Sequence, residues 1–243
     1  MHPLDGTARV AGWMHLRVTA STVLGMMLLT PALFVRGDGA ATAARVLASQ
    51  GLFRVSAVNG LFSMVSFLVV AIVLYRLLRD AGPWLATCML VLVAVQTPVG
   101  LGLVADPMLA FDVLRGGPTG AAFTQPGRES MALLPPDVDN RGVGAVELLW
   151  GLWLLPLALL VWRCGFLPRF LAGWLGLNGV AYVVLSVLAI LWPQHSKLGM
   201  TVAFPLLFGE LALGLWLALA GARRHLRATP SIDAGHAPRE SAP

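Results

Sequence analysis

Charge is what this sequence has least of. Asp, Glu, Lys and Arg make up 12% of its 243 residues, against roughly 25% in an ordinary soluble domain. Hydrophobic residues reach 57% and the mean hydropathy is +0.77, so a soluble fold of this length would leave too much apolar surface in water. A soluble globular enzyme is excluded. Disorder is excluded too, because it needs high charge and few apolar side chains. The two cysteines, Cys88 and Cys164, rule out a disulfide scaffold. H-E-x-x-H, C-x-x-C, G-x-S-x-G, a phosphate-binding glycine loop and an aspartate-rich motif are all missing, so no metal, nucleotide or other cofactor is expected. There is no internal or inverted repeat, which counts against a secondary transporter. No basic stripe with interleaved aromatics occurs, so no nucleic-acid partner is expected. The pI near 10.2 comes mostly from arginines flanking apolar runs, where they set topology and meet anionic lipids.

What the sequence has is six apolar runs of roughly 20 residues, the length that crosses a bilayer: 18–35, 55–75, 84–105, 142–162, 170–192 and 198–222. Lipid cannot satisfy bare backbone groups, and the runs do not alternate as barrel strands do, so each is expected to be helical. The fold class is an all-α, polytopic transmembrane helical bundle of six spans, or seven if part of the loop at 106–141 re-enters the membrane. Residues 1–17 are expected as a cytoplasmic N-terminal segment, 18–222 as a single transmembrane domain, and 223–243 as a disordered cytoplasmic tail. The first run is longer than a signal-peptide core and no small-x-small site follows it, so it reads as a retained helix. The alanine-rich middle of 36–54 is expected to form a short interfacial helix. Within 106–141, residues 108–114 are expected as a short helix and the rest as irregular. Pro31, Pro98, Pro156 and Pro205 fall inside spans, where proline kinks are tolerated.

The short turns carry the basic residues: Arg76 and Arg79 after the second span, Arg163 and Arg169 between the fourth and fifth, Arg223, Arg224 and Arg227 after the sixth. Putting both termini inside places ten of the 17 Lys and Arg on the inner side and seven outside, in keeping with the positive-inside rule. Cys88 and Cys164 then lie toward the reducing side. His15 and Arg17 are expected at the inner mouth of the first span, with their heads turned to the lipid headgroups.

Polar residues within the runs are the candidates for function, since each is costly in hydrocarbon. Glu147 lies about one turn inside the fourth span and Glu210 near the centre of the sixth. No basic residue is expected at their depth. Asn59 shares a face of the second span with Ser63 and Ser66; Gln96 lies mid-way along the third; Asn178, Tyr182 and Ser186 share a face of the fifth. Trp150 and Trp153 adjoin Glu147. In this topology Asn59, Gln96, Glu147 and Glu210 fall in the middle or outer membrane, where they would line a polar cavity. The amides and serines also suit plain interhelical hydrogen bonding, and the tryptophans plain packing.

The segment ELLWGLWLLPLALLVWRCGFLPR, from Glu147 to Arg169, is the most distinctive in the chain. It resembles a bacterial membrane family catalogued as domain of unknown function 4386, in which a W-G-L-W-L-x-P helix runs into a G-F-L-P-R turn. TARVAGWMHL resembles that family's N-terminal segment, LFRVSAVNGLF with LYRLLRD its second helix, and GELALGLWL its last. The resemblance implies a multi-spanning protein of the bacterial inner membrane and carries no activity with it.

Three functions compete. An apolar bundle with sparse polar groups and no catalytic motif suits binding of a lipid or another small hydrophobic molecule, with Asn59, Gln96, Trp150, Trp153, Asn178 and Tyr182 as ligand-binding candidates. A membrane-embedded enzyme would use Glu210 or Glu147 as a buried acid, as terpene cyclases of similar architecture do. A transporter is the third and the least supported. Membrane lipids are the expected partners, and oligomeric state is left open.

Overall fold

The computed structural model describes residues 5–35 and 37–222, except the side chains of 26, 134–143 and 145, and every regular element among these residues is helical. Helix α1 (Asp5–Leu24) passes through a π-helical turn (Gly25–Leu29) into α2 (Thr30–Leu33). The wide turn lies where Pro31 removes a backbone donor, and it closes at Thr30, whose backbone N–H and, at 3.1 Å, Oγ1 both donate to the Gly25 carbonyl. An amphipathic α3 (Gly39–Ala48), capped by Asp38 accepting from Ala41 N at 2.8 Å, leads to α4 (Gln50–Leu78). Then come α5 (Pro83–Leu114), α6 (Gln125–Met131), α7 (Leu134–Arg163), α8 (Arg169–Leu191), α9 (Ser196–Ala203) and, after a 3-10 stretch (Phe204–Phe208), α10 (Gly209–Ala220).

Among the described residues six segments are long and apolar enough to cross a membrane: Asp5–Leu33, Gln50–Ala81, Pro83–Leu114, Val146–Arg163, Arg169–Leu191 and Pro193–Ala220. The first helix begins well before position 18. Asp5, Arg9, His15 and Arg17 dilute its hydropathy, yet its inner face of Ala8, Ala11, Gly12, His15 and Val18 is buried. His15 and Arg17 therefore lie well past the start of a helix that is long and apolar enough to span the membrane. Arg17, on the outer face of the bundle, donates to Ser66 Oγ at 2.8 Å and lies 4.2 Å over the Phe62 ring. A cation does reach the depth of the polar groups, contrary to the hydropathy pattern. Residues 108–114 continue α5 beyond Pro107 instead of forming a separate helix. The stretch expected to be irregular holds a 3-10 turn (Gly120–Ala122), α6 and the first turns of α7. The tail at 223–243, with Arg223, Arg224 and Arg227, lies outside the described residues.

The packing order is a closed ring: α1 against α4, α4 against α5, α5 against α7, α7 against α8, α8 against α10, and α10 back against α1. The tight turn after α7, with Gly165 at φ 73°, makes α7 and α8 antiparallel neighbours. Gly151 lies against the backbone of Gly179 and Val183, where a side chain would collide. Close approach of small residues is how helices gain packing energy in lipid, which offers no hydrophobic drive between them.

The ring's interior is apolar at the end that carries the α4–α5 and α7–α8 turns, with Leu74, Met89, Leu157, Leu160, Leu175 and Leu217 almost wholly buried. The opposite end is capped. Leu33, Val46 and Phe53 form a second cluster with Phe34, Leu52, Phe111 and Leu114, and the Phe53 and Phe111 rings stack at 4.6 Å. Between this cap and the deep core the ring is not filled.

Candidate functional site

The polar seam between α1 and α4 forms one wall of the unfilled space. Spacing along α4 sets Asn59, Ser63 and Ser66 on one face, and α1 meets that face with Ser21 and Arg17. Ser21 Oγ donates to Asn59 Oδ1 at 2.7 Å and lies 2.7 Å from Ser63 Oγ, while Asn59 Nδ2 donates to the Ser21 carbonyl at 3.0 Å. These groups satisfy one another.

Beside the seam is a cavity of about 240 Å³, lined from α1, α2, α4, α5 and α7. Its apolar wall includes Leu33, Phe34, Phe53, Met64, Phe67, Leu103 and Val104, and its polar wall Thr22, Thr30, Ser56, Asn59, Ser63, Gln96 and Thr97. No Asp, Glu, Lys, Arg or His is among the described lining residues. Most of the polar wall is already engaged: Thr22 and Thr97 donate to the carbonyls of Val18 and Val93 at 3.1 and 2.8 Å. Gln96 is the buried exception. It is 3% exposed, and neither its Oε1 nor its Nε2 has a partner among the described residues. An unpaired buried polar group costs about 1–3 kcal/mol, so an amide held this way on a cavity wall is a group waiting for a partner.

Of the eight candidates, the structure brings Asn59, Gln96 and Trp150 to the cavity. Trp153 turns away: it is 1% exposed in the core, its ring edge-on to Phe67 at 5.2 Å. Glu147, 6% exposed, is next to the lining residue Val146 but does not itself line the space. Asn178, Tyr182 and Glu210 gather elsewhere. Asn178 and Trp174 donate to the carbonyls of Leu207 and Leu206, at 3.4 and 3.1 Å, where the 3-10 stretch around Pro205 interrupts the last span. Tyr182 lies within electrostatic reach of both Glu147 and Glu210, and its ring meets Trp150 edge-on at 5.8 Å. That ring pair is the link between the two groups. Neither carboxylate forms an ion pair among the described residues.

A family model described as Domain of unknown function (DUF4386) matches residues 10–221. The chain belongs to this family. No curated protein and no solved structure matches it. For this DUF4386 protein the site therefore rests on its own geometry. Sequence reading missed Ser21, which engages Asn59, and the Phe34–Phe53 cap. Both act through contacts between helices, and a serine or phenylalanine within an apolar run carries no signal of such a contact. Among the described residues no group of three His, Cys, Asp or Glu is placed to hold a metal ion.

Proposed function

We propose that this integral membrane protein binds a small hydrophobic molecule or lipid fragment inside its helix bundle, between α1, α4, α5 and α7. The observation that carries the reading is Gln96, a buried carboxamide whose polar atoms have no partner among the described residues, on the wall of a mostly apolar cavity. An apolar cavity of about 150 Å³ takes up benzene. On that scale a cavity of about 240 Å³ holds roughly ten non-hydrogen atoms. The uncharged wall favours a neutral ligand, and the amide offers it one acceptor and one donor group. The proposed setting is the inner membrane of a bacterium, with both termini cytoplasmic.

Membrane-embedded acid catalysis by Glu210 is a second reading, and the grouping of Glu147, Tyr182 and Glu210 favours it. It ranks lower because Glu210 is not on the cavity wall, and a substrate held at Gln96 would not meet it.

The experiment is to extract the purified protein with organic solvent and identify the small molecules by mass spectrometry, comparing the native chain with Gln96→Leu. A neutral compound retained by the native chain and lost from the variant supports binding at this site. Equal recovery from both contradicts it. Conversion of the compound on incubation, abolished by Glu210→Gln, would favour the enzyme.

A further inference from the structure

Apart from Gln96, the buried polar side-chain atoms without a partner among the described residues are Asn178 Oδ1, Ser186 Oγ, Trp216 Nε1 and both ring nitrogens of His15. These four residues are on α1, α8 and α10, and none lines the cavity. Contacts set most of them in a line. His15 packs on Gly214 and approaches the backbone carbonyl of Glu210. Glu210 is one turn from Gly214 on the same face of α10. The neighbouring Gly209 packs on Asn178. Tyr182 and Ser186 follow Asn178 at successive turns of α8. Gly151 meets Gly179 and Val183, and Gly144 meets Ala189, so Glu147, between those two glycines, comes level with Ser186.

Four of the side chains along this line are titratable: Glu147 on α7, Tyr182 on α8, Glu210 on α10 and His15 on α1. Along a helix, residues one turn apart are roughly 6 Å apart in level, so the contacts above set these groups at successive levels of the bundle. Buried polar atoms without protein partners are where buried water is held. The other described charges on the packed helices are turned elsewhere or lie far along the bundle. Arg17 is on Ser66, Asp5 and Arg9 pair with each other at 3.4 Å, and Arg163 and Arg169 are at the turn after α7. Below His15 the line stops. Ala8 and Ala11 are 0% exposed, and Gly12 lies against the backbone of Leu217 and Ala218.

We propose that Glu147, Tyr182, Glu210 and His15 form a water-bridged proton column, loaded from the Glu147 end and closed below His15, so that the ligand of this second site is the proton. Each hop gives the receiving oxygen or nitrogen one proton and takes one from the donor; no bond to carbon changes and nothing is oxidised or reduced. None of the four column residues lines the Gln96 cavity.

The test is infrared spectroscopy of the full chain in lipid nanodiscs while the buffer is stepped from about pH 9 to about pH 5. A protonated-carboxyl band should grow as pH falls, part of it missing in Glu147→Gln and another part in Glu210→Gln. In Tyr182→Phe the midpoints of both parts should move by about one pH unit, the scale on which coupled groups influence each other. Tyr182→Phe keeps the ring on Trp150, so this comparison stands even where a glutamate variant does not fold. Unmoved midpoints in Tyr182→Phe, or a band that ignores pH, would overturn the column. Displacement of the band by sodium at fixed pH would overturn it in favour of a metal-cation site.

Discussion

Gln96 is the residue on which the ligand reading turns, and its chemistry makes a two-sided prediction. Replacing it with leucine removes two unpaired polar atoms of similar bulk from a buried wall. The ligand-free protein should become more stable by about 1–3 kcal/mol, read as a higher unfolding temperature in detergent, while the ligand is lost. A stabilised variant that keeps its ligand would show that the amide is not the recognition group. Cys164 makes a pH prediction. Burial pushes its thiol above the ordinary range, so less thiolate is present near neutrality and alkylation slows. Its labelling rate should keep rising with pH past the point, about 8.5, where a free thiol is half ionised; a rate that levels off there would show an exposed thiol. Asn59, Gln96, Trp150 and Glu147 were legible in the sequence because polar and aromatic groups are conspicuous in apolar runs. Which of them would meet was not. Trp153 and Trp150 look alike in sequence, yet one lies in the core and the other on the cavity, a difference set by the rotation of α7 against α5 and α8.

At the scale of elements, the helices themselves were legible and their ends were not. Apolar length marks a span, but the bundle also buries polar helix where small residues allow close packing, as at Ala8, Ala11 and Gly12 of α1. Hydropathy therefore started this helix too late. It also gave no sign that α5 runs straight through Pro107, or that Pro205 converts a turn of the last span to 3-10 geometry with carbonyls taken up by α8. The α7–α8 pair rests on Gly151, whose added side chain would meet the backbone of Gly179 and Val183. Gly151→Val should cost about 1–3 kcal/mol or more through overpacking, and the thermal midpoint should fall accordingly. Gly173→Ala, with open space around its α-carbon, should leave that midpoint unchanged. Equal behaviour of the two variants would mean that the close approach does not hold the pair.

For the whole molecule, the ring of six helices puts the apolar core at one end and the Gln96 cavity toward the other, under the cap of Leu33, Val46, Phe53 and Phe111. On the proposed orientation, with both termini cytoplasmic, the core end faces the cytoplasm. With Cys88 replaced by serine, an impermeant maleimide should fail to label Cys164 in intact cells and should label it in inverted vesicles; labelling of intact cells would reverse the orientation. The central claim is that the cavity beside Gln96 is a ligand site. It is tested most directly by an experimental density map of the protein purified in lipid nanodiscs. The account predicts a discrete feature between Phe34, Phe53, Met64 and Trp150, within hydrogen-bond distance of the Gln96 amide. A cavity that is empty, or closed by Gln96 bonding to a neighbouring helix, would contradict it.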